Sequence, residues 1–344
     1  MQQNHIFYPS EPQPQTTALN TVTLPELYDT VYRPSLTLIE DFLYSGVYLF
    51  VGPPKIGKSF FMAQLAYHVA TGTKLWHYPV KQADVLYLSL EDDMSRLQKR
   101  FSRMFGVDIN ANLYLCTNSN SLSGGLELQL NTFLQAHQDT KLVIIDTLQK
   151  VRELSGNNYS YSQDYTIISK LKAIAAEHNI CIIVVHHTRK LEAEDKFDMI
   201  SGTNGLLGAA DGAMVLHKNK RTDLHASLSI VGREQQDQTL ALEFLPQTCT
   251  WKFINAQKDL WQEPADPLLE KIAAFLSEER PTWYGTATQL LTELAITDMK
   301  PNVFTRRLNV KIDKLYNDYG ILYTNQNKHC SRLITLHKME KKSA

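Results

Sequence analysis

Residues 52–59 read Gly52-Pro53-Pro54-Lys55-Ile56-Gly57-Lys58-Ser59, which fits the phosphate-binding loop pattern G-x-x-x-x-G-K-[ST] at every position. The apolar run 47–51 predicts a buried strand that enters the loop, and 60–70 predicts a helix that leaves it. An ordinary glycine turn between a strand and a helix is the alternative, but the lysine, the serine and both flanking elements are all in order. The stretch therefore predicts binding of a nucleoside triphosphate.

Each residue type in this loop has a physical role. Glycines let the backbone turn its amide groups toward phosphate oxygens, and the start of the following helix adds partial positive charge. We expect Lys58 to hold the β- and γ-phosphates and the Ser59 hydroxyl to bind Mg²⁺. ATP and Mg²⁺ are the predicted cofactors, and the predicted nucleotide-binding residues are Gly52, Pro53, Pro54, Lys55, Ile56, Gly57, Lys58, Ser59 and Phe60.

Composition excludes several classes of protein. The chain has 344 residues, of which 43% are hydrophobic and 21% are charged, as in an ordinary globular protein. No apolar run approaches the length of a membrane span, and the first residues lack the features of a signal peptide. The four cysteines include no C-x-x-C pair that would suggest a zinc site. We therefore expect a cytoplasmic protein without a membrane partner, and the net charge of -1 excludes a globally basic surface.

Apolar strand patterns alternate with helical patterns from the phosphate loop to about residue 254, which predicts an α/β domain with a mainly parallel sheet. The predicted strands are 47–51, 84–90, 112–116, 141–146, 180–186 and 213–217, followed by an antiparallel hairpin, 225–232 and 238–244. The predicted organisation is a mobile leader (1–20), this nucleotide-binding domain (21–255), a linker (256–267), a second domain (268–338) and a tail (339–344).

The second domain shows helical periodicity over 268–276, 286–294 and 302–319, and then two short strands, 321–323 and 332–336. Three helices and a strand pair with a tip at 325–328 predict a winged helix-turn-helix. A basic third helix beside a wing indicates nucleic-acid contact, while a module for protein contacts is the alternative. The basic residues are Lys300, Arg306, Arg307, Lys311 and Lys314 on the helix, and Lys328 and Arg332 on the wing.

A second nucleotide-related motif lies at 141–146. Its sequence, Lys141-Leu142-Val143-Ile144-Ile145-Asp146, has the form of a Walker B strand, which ends in an acid at the carboxyl edge of the sheet. We predict that Asp146 helps to bind Mg²⁺ together with Ser59. The next residue is Thr147, so this chain lacks the glutamate that most AAA-type ATPases place directly after the Walker B acid.

Six stretches follow one another in the order found in RepA-like ATPases of plasmids, phages and integrative elements: GPPKIGKS, LSLEDD, LVIIDTL, VVHHTRK, SGTNGLLGAADGAMVL and VGRE. From about residue 30 to 250 the chain resembles this AAA-type family of the RecA/DnaB-like P-loop superfamily, and 283–336 is similar to its winged-helix tails. The resemblance implies a RecA-like P-loop core with a mainly parallel central sheet and a small C-terminal winged-helix domain. It also implies a homo-oligomer, a hexameric ring that translocates along single-stranded DNA, with duplex DNA as a possible partner of the winged helix.

In the RecA- and DnaB-like branch, the catalytic glutamate follows the strand after the phosphate-loop helix. Here that strand is 84–90, and it ends in Glu91-Asp92-Asp93. We therefore predict that Glu91 is the general base that polarises the attacking water, with Asp92 as the second choice. The alternative is that the three acids only cap the next helix.

Two further residues are predicted to act at the site. The run 180–185 leads to His186 and His187, and a hydrogen-bonding residue there, His187 above all, can sense the γ-phosphate; a purely structural histidine is the alternative. Arg233 ends a late strand, where a guanidinium of ring-forming ATPases reaches the γ-phosphate of the neighbouring subunit. Three other basic residues are rivals for that role: Lys218, Lys220 and Arg221.

The resemblance places the central loop of the ring around 196–205, within a segment, 191–208, that we expect to be mobile. This loop has one lysine among four nearby acids, whereas a loop that grips phosphates should be more basic. ATP hydrolysis is therefore the firm expectation, and duplex unwinding stays open. The candidate functions are a mobile-element replicative helicase or related ATPase, a non-unwinding DNA-bound regulatory or recombination-mediator ATPase, and a KaiC-like signalling ATPase.

Overall fold

The computed structural model describes residues 19, 21–108, 110–152, 161–187, 204–220, 222–258, 266–328 and 331–339. The chain forms two compact units, one built from the chain between Ser35 and Ala265 and the other from the segments on either side of it. The elements up to residue 258 are α1 (Leu24–Asp29), β1 (Thr37–Ile39), β2 (Leu43–Tyr44), β3 (Gly46–Gly52), α2 (Lys58–Thr71), β4 (Asp84–Ser89), α3 (Met94–Phe105), β5 (Leu113–Cys116), a π-helical turn (Leu122–Leu126), α4 (Glu127–Ala136), β6 (Thr140–Asp146), α5 (Leu148–Val151), α6 (Tyr161–His178), β7 (Cys181–His187), α7 (Asn204–Ala209), β8 (Gly212–His217), β9 (His225–Gly232), β10 (Gln238–Leu245) and β11 (Thr250–Lys258).

The first unit, from Ser35 onwards, is built on a nine-stranded sheet with the order β11-β10-β9-β8-β3-β7-β6-β4-β5. The six strands from β8 to β5 in this order are parallel, and β9, β10 and β11 extend the sheet by antiparallel pairing. This is the mainly parallel α/β architecture that the alternating patterns predicted. Central strands such as β3 are buried on both faces because helices cover both sides of the sheet.

Alternate side chains of β3 enter two separate cores. Tyr48 and Phe50 belong to the core that α2 and α3 complete, with Phe61 as one of its fully buried members. Val47 and Leu49 face the opposite core, to which α4 and α6 contribute. The period-2 alternation of a strand between two helical layers therefore fixes the register of β3, and with it the position of the loop that follows.

The eight predicted strands correspond to β3 through β10, with ends that agree to within one residue. The prediction missed β11, which pairs with β10 and takes up the first part of the predicted linker 256–267. The predicted mobile segment 191–208 lies outside the described residues up to 203, and its last part forms α7, so that part is helical and the prediction was wrong there.

The C-terminal unit contains α8 (Pro267–Phe275), β12 (Thr282–Gly285), α9 (Ala287–Glu293), α10 (Pro301–Val310), α11 (Ile312–Asn317), β13 (Ile321–Lys328) and β14 (Ser331–Lys338), with a three-stranded sheet ordered β12-β14-β13. Its own core includes Ile272, Phe304, Leu308 and Leu336. The expected single helix 302–319 is two helices, because the backbone at Lys311 leaves the helical region (φ -98°, ψ 17°).

The strand pair of this unit is longer than predicted. β13 and β14 pair from Ile321 with Lys338 to Lys328 with Ser331, so 325–328 belongs to a strand rather than to the tip of the wing. The strand β12, around Trp283, was not predicted at all; its partner is β14, more than 45 residues later in the chain. Among the described helices, none combines the length and the apolar character that a membrane span requires.

The segment before Ser35 packs with the C-terminal unit, although we predicted that residues from 21 onwards join the nucleotide-binding domain. The Asp29 carboxylate accepts hydrogen bonds from Arg306 Nε (2.8 Å) and Arg332 Nη2 (3.3 Å). Asn309 Nδ2 donates to the backbone oxygen of Tyr28 at 2.8 Å. The pKa of Asp29 is lowered by the bond from Arg306 and then by that from Arg332, so this carboxylate stays charged and binds α1 to α10 and β14.

Candidate active site

Four strand ends meet at one edge of the sheet. Gly52 at the end of β3 is level with His187 at the end of β7, and Asp146 at the end of β6 is level with Ser89 at the end of β4. The residues that follow these strands therefore lie at the carboxyl edge of the parallel sheet, where ligands of open α/β sheets bind. The phosphate loop, Glu91, Asp146 and His187 are thus brought to a single place.

The phosphate loop has the backbone that its glycines predict. Gly57, the residue before α2, has φ 104°, and a Cβ on Gly52 would lie 2.6 Å from the backbone oxygen of Leu216. No side chain caps the start of α2, so its first amide groups are available to a ligand. A helix N-terminus of this kind, preceded by a glycine loop, is suited to bind phosphate.

The Lys58 ammonium group is 2.8 Å from the backbone oxygens of Gly52 and Pro53 and 2.9 Å from His187 Nδ1. All three of its protons therefore have protein acceptors. The side chain is buried, and burial lowers the pKa of Lys58 to about 8, while the charges of Asp146 and Glu91 oppose that shift. Phosphate oxygens that replace one or two of these acceptors would favour the charged form.

Asp146 is buried, which raises the pKa of its carboxyl group, while hydrogen bonds from Ser59 and Tyr87 oppose the shift. The Tyr87 hydroxyl donates to Asp146 Oδ2 at 3.0 Å. Ser59 and Asp146 thus present a hydroxyl and a carboxylate oxygen side by side. Mg²⁺ prefers hard oxygen ligands and is commonly held by one or two protein groups together with substrate phosphates, so this donor pair fits it.

The three consecutive acids after β4 have three different environments. Glu91 Oε1 accepts a hydrogen bond from Thr147 Oγ1 (3.1 Å), which directs Glu91 toward Asp146 and the loop. Asp92 forms an ion pair with Arg100 at 2.7 Å. Asp93 caps α3 by accepting from the backbone of Arg96 at 2.8 Å. The capping interpretation therefore applies to Asp93, and Asp92, the second choice for the base, has an arginine partner.

His187 lies between the phosphate loop and the candidate base. Its Nδ1 is 2.9 Å from Lys58 Nζ, and its Nε2 is 3.9 Å from Glu91 Oε1. Burial and then the charge of Lys58 lower the pKa of His187, while Glu91 opposes the shift. A neutral imidazole that accepts from Lys58 through Nδ1 carries its proton on Nε2, on the side of Glu91.

Arg233 lies at the opposite edge of the sheet from the loop. β9 is antiparallel to β8, so its last residue, Gly232, pairs with Gly212, which is level with Tyr48 near the start of β3. The Arg233 side chain is 62% exposed, and its guanidinium lies 3.9 Å from Asp211. Arg233 therefore does not join the other predicted residues around the phosphate loop of its own chain.

The rivals of Arg233 have different positions. Lys218 follows β8 at the carboxyl edge, and its ammonium group lies over the rings of Trp251 (5.1 Å) and Phe244 (5.5 Å). Lys220 is an exposed residue nearby, and Arg221 lies outside the described residues. Lys218 thus belongs to the aromatic surroundings of its own phosphate loop.

Sequence reasoning missed residues that support the site. Thr147 binds Glu91, Tyr87 binds Asp146, and Trp251 donates from its ring nitrogen to the Gly57 oxygen at 3.2 Å. Trp251 lies on β11, the strand that was missed. The alternation of Trp251 and Phe253 with polar residues was the available signal for that strand, and it did not indicate contact with a loop almost 200 residues earlier.

The AAA domain family matches residues 13–193 of the chain. The DNA repair protein RadA of Streptococcus pneumoniae is 30% identical over 142 residues, which cover 40% of this chain and 29% of RadA, so the chain spans less than a third of that relative. Among solved structures, one ATPase domain has a TM-score of 0.50 with 16% identity, over 61% of this chain and 84% of that domain.

A second structure shares the fold. It is a DnaB-like replicative helicase, solved to describe its interactions with primase, and it has a TM-score of 0.50 with 15% identity, over 61% of this chain and 57% of that one. These similarities show the fold of DnaB-like ATPase domains, which the sheet order and the loop described above share. Since its match covers more than half of the residues, the chain belongs to the AAA domain family of P-loop ATPases.

Proposed function

We propose that this chain is a Mg²⁺-dependent ATPase that acts on DNA, as a replicative helicase or related replication ATPase of a mobile element. The observation that carries the proposal is the convergence of Lys58, Glu91, Asp146 and His187 at one sheet edge around an uncapped helix N-terminus. The order of the RepA-like stretches and the DnaB-like fold support the DNA-related part.

Each residue has a role in ATP hydrolysis that its contacts allow. Lys58 and the amides of the loop bind the β- and γ-phosphates, and Ser59 and Asp146 would hold Mg²⁺, which supplies charge neutralisation when bound. Glu91, held by Thr147, accepts a proton from the attacking water. His187 contacts both Lys58 and the side of Glu91, so we propose that it senses whether the γ-phosphate is present.

A second candidate is a DNA-bound recombination or repair ATPase that does not unwind duplex DNA. The specific observation in its favour is the 30% identity to the DNA repair protein RadA over 142 residues. Both candidates share the hydrolytic site and differ in what the energy of hydrolysis does.

ATP turnover measured with and without single-stranded DNA, together with the mass of the assembly, tests the proposal. We expect turnover that DNA stimulates, in a ring-sized homo-oligomer, with a hexamer favoured. Stimulation without unwinding of a forked duplex would favour the repair-type candidate. Turnover that ignores DNA would contradict the DNA-related function and favour a signalling ATPase.

We propose that Arg233 acts on the nucleotide of a neighbouring subunit, since it lies at the edge opposite its own loop. Mixing Arg233→Ala subunits, whose own loop is intact, with Lys58→Ala subunits, whose Arg233 is intact, should restore turnover at mixed interfaces. Each variant alone should be inactive. A Lys58→Ala, Arg233→Ala double variant is the control, because it should rescue neither partner. A strictly monomeric chain with a rate independent of protein concentration would contradict this prediction.

We propose that the C-terminal unit is a winged helix that binds DNA through α10, α11 and the β13–β14 wing. Two of the predicted contact residues, Arg306 and Arg332, bind Asp29, whereas Arg307 is exposed on α10. Phosphate contacts should therefore depend more on Arg307 than on Arg306.

In the full chain without nucleotide, Arg307→Ala should weaken binding to duplex DNA and lower the slope of log affinity against log salt by about one. Arg306→Ala should have a smaller effect because Asp29 already binds that guanidinium. Lys271→Ala, which removes one positive charge from exposed α8, is the matched control. Binding that does not respond to salt or to Arg307→Ala would make this unit a protein-interaction module.

A further inference from the structure

Trp251 lies directly against the phosphate loop. Its ring Nε1–H donates to the backbone oxygen of Gly57 at 3.2 Å, and a Cβ on Gly57 would lie 2.9 Å from Cζ2 of the same ring. The Trp251 side chain is only 1% exposed. The contact therefore leaves no room for the Gly57 backbone to move toward β11.

This contact fixes the direction of one peptide group. The oxygen of Gly57 also accepts the first hydrogen bond of α2, from Phe61 N at 3.1 Å. The oxygen and the Lys58 N–H belong to the same planar, trans peptide group, so they point in opposite directions. An oxygen held toward Phe61 and Trp251 therefore directs the Lys58 N–H out of the helix N-terminus, where phosphate binds.

The indole ring is itself held at its backbone. Gln64 of α2 donates from Nε2 to the Trp251 oxygen (2.9 Å) and accepts from the Trp251 N–H (2.7 Å). The ring nitrogen of Trp76 donates to the same Trp251 oxygen at 2.7 Å. Trp251 is thus joined to α2 both at the loop and about two turns further along, which fixes the ring relative to the peptide that it orients.

We propose that Trp251 is a positioning residue for ATP binding, whose ring N–H holds the Gly57–Lys58 peptide in its phosphate-binding orientation. This inference rests on the proposed ATPase function. The effect should fall on nucleotide affinity rather than on the chemical step, because the indole contacts the loop and none of Glu91, Asp146 or His187 among the contacts described for it.

Trp251→Phe removes the donor and keeps an aromatic ring. Loss of one hydrogen bond of this kind predicts a Kd and a KM for ATP raised about three- to tenfold, with kcat changed less than about twofold. Trp76→Phe is the matched control, since it also removes an indole donor, here to the Trp251 oxygen, without touching the loop. It should change the Kd for ATP less than about twofold while lowering Tm to a similar extent.

Hydrogen exchange of the peptide that contains the loop provides a second measurement that needs no activity. Exchange should be faster in Trp251→Phe than in the wild type and unchanged in Trp76→Phe. Wild-type affinity and exchange in Trp251→Phe, or equal losses of affinity in both variants, would overturn the inference while the ATPase function stands. A wild-type chain that binds no ATP would overturn the proposed function and this inference together.

Discussion

Lys58→Ala is expected to abolish tight ATP binding. The Lys58 ammonium lies at the start of α2 beside the loop, 2.8 Å from the oxygens of Gly52 and Pro53, in a buried setting where charge-assisted hydrogen bonds are strong. Such bonds contribute about 1.5–3 kcal/mol each, so loss of two of them to phosphate lowers affinity by about 10²-fold or more. Calorimetric titration with ATP measures the effect.

Two further variants make the result for Lys58 specific. Lys58→Met keeps the apolar stem and removes the charge, so it should lose affinity as Lys58→Ala does even if the empty space left by alanine disturbs the loop. Lys99→Ala, on the exposed side of α3, removes the same charge away from the site and should leave affinity unchanged. ATP affinity in Lys58→Ala equal to that of the wild type would remove the basis of the ATPase interpretation.

Glu91→Gln is expected to keep ATP binding and to lower turnover by about 10²-fold or more, because an amide cannot take a proton from water. The side-chain oxygen of glutamine can still accept the hydrogen bond from Thr147, now 3.1 Å from Glu91 Oε1, so the site should keep its shape. Single-turnover hydrolysis at saturating ATP separates this loss from any change in binding.

The neighbouring acids supply the controls for Glu91. Asp93→Asn makes the same change of charge two residues later, and asparagine is also a good N-cap, so it should have wild-type turnover. Asp92→Asn breaks the ion pair with Arg100 and should affect Tm more than turnover. Full turnover in Glu91→Gln with a large loss in Asp92→Asn would transfer the role of general base to Asp92.

The parts of the site that could be predicted are those that the local chain specifies. The phosphate loop is contiguous, and Asp146 and Glu91 each end an apolar strand, so knowing that the strands are parallel was enough to bring them to one edge. The pattern could not decide among Glu91, Asp92 and Asp93. That choice depends on Thr147 and Arg100, which reach the three acids through tertiary contacts.

The missed features all depend on contacts between distant residues. β11 is recognised by its pairing with β10 and by the bonds of Trp251 to Gln64, which are 187 residues apart in sequence. The helix 302–319 was predicted as continuous because its periodicity is compatible with one helix, whereas the turn at Lys311 is not visible in the pattern of apolar residues. Long-range pairing overrides local preference at these places.

The bonds between Asp29 and the C-terminal unit have a consequence for protein synthesis. Asp29 is translated 277 residues before Arg306 and 303 residues before Arg332. At a synthesis rate of roughly 5–20 residues per second, α1 waits about 15 to 60 seconds for its partners. During that time the chain from Ser35 to residue 258 is made in full and can fold around its own sheet. The unit that contains α1 is therefore the last to be completed, although α1 is translated before the whole ATPase unit.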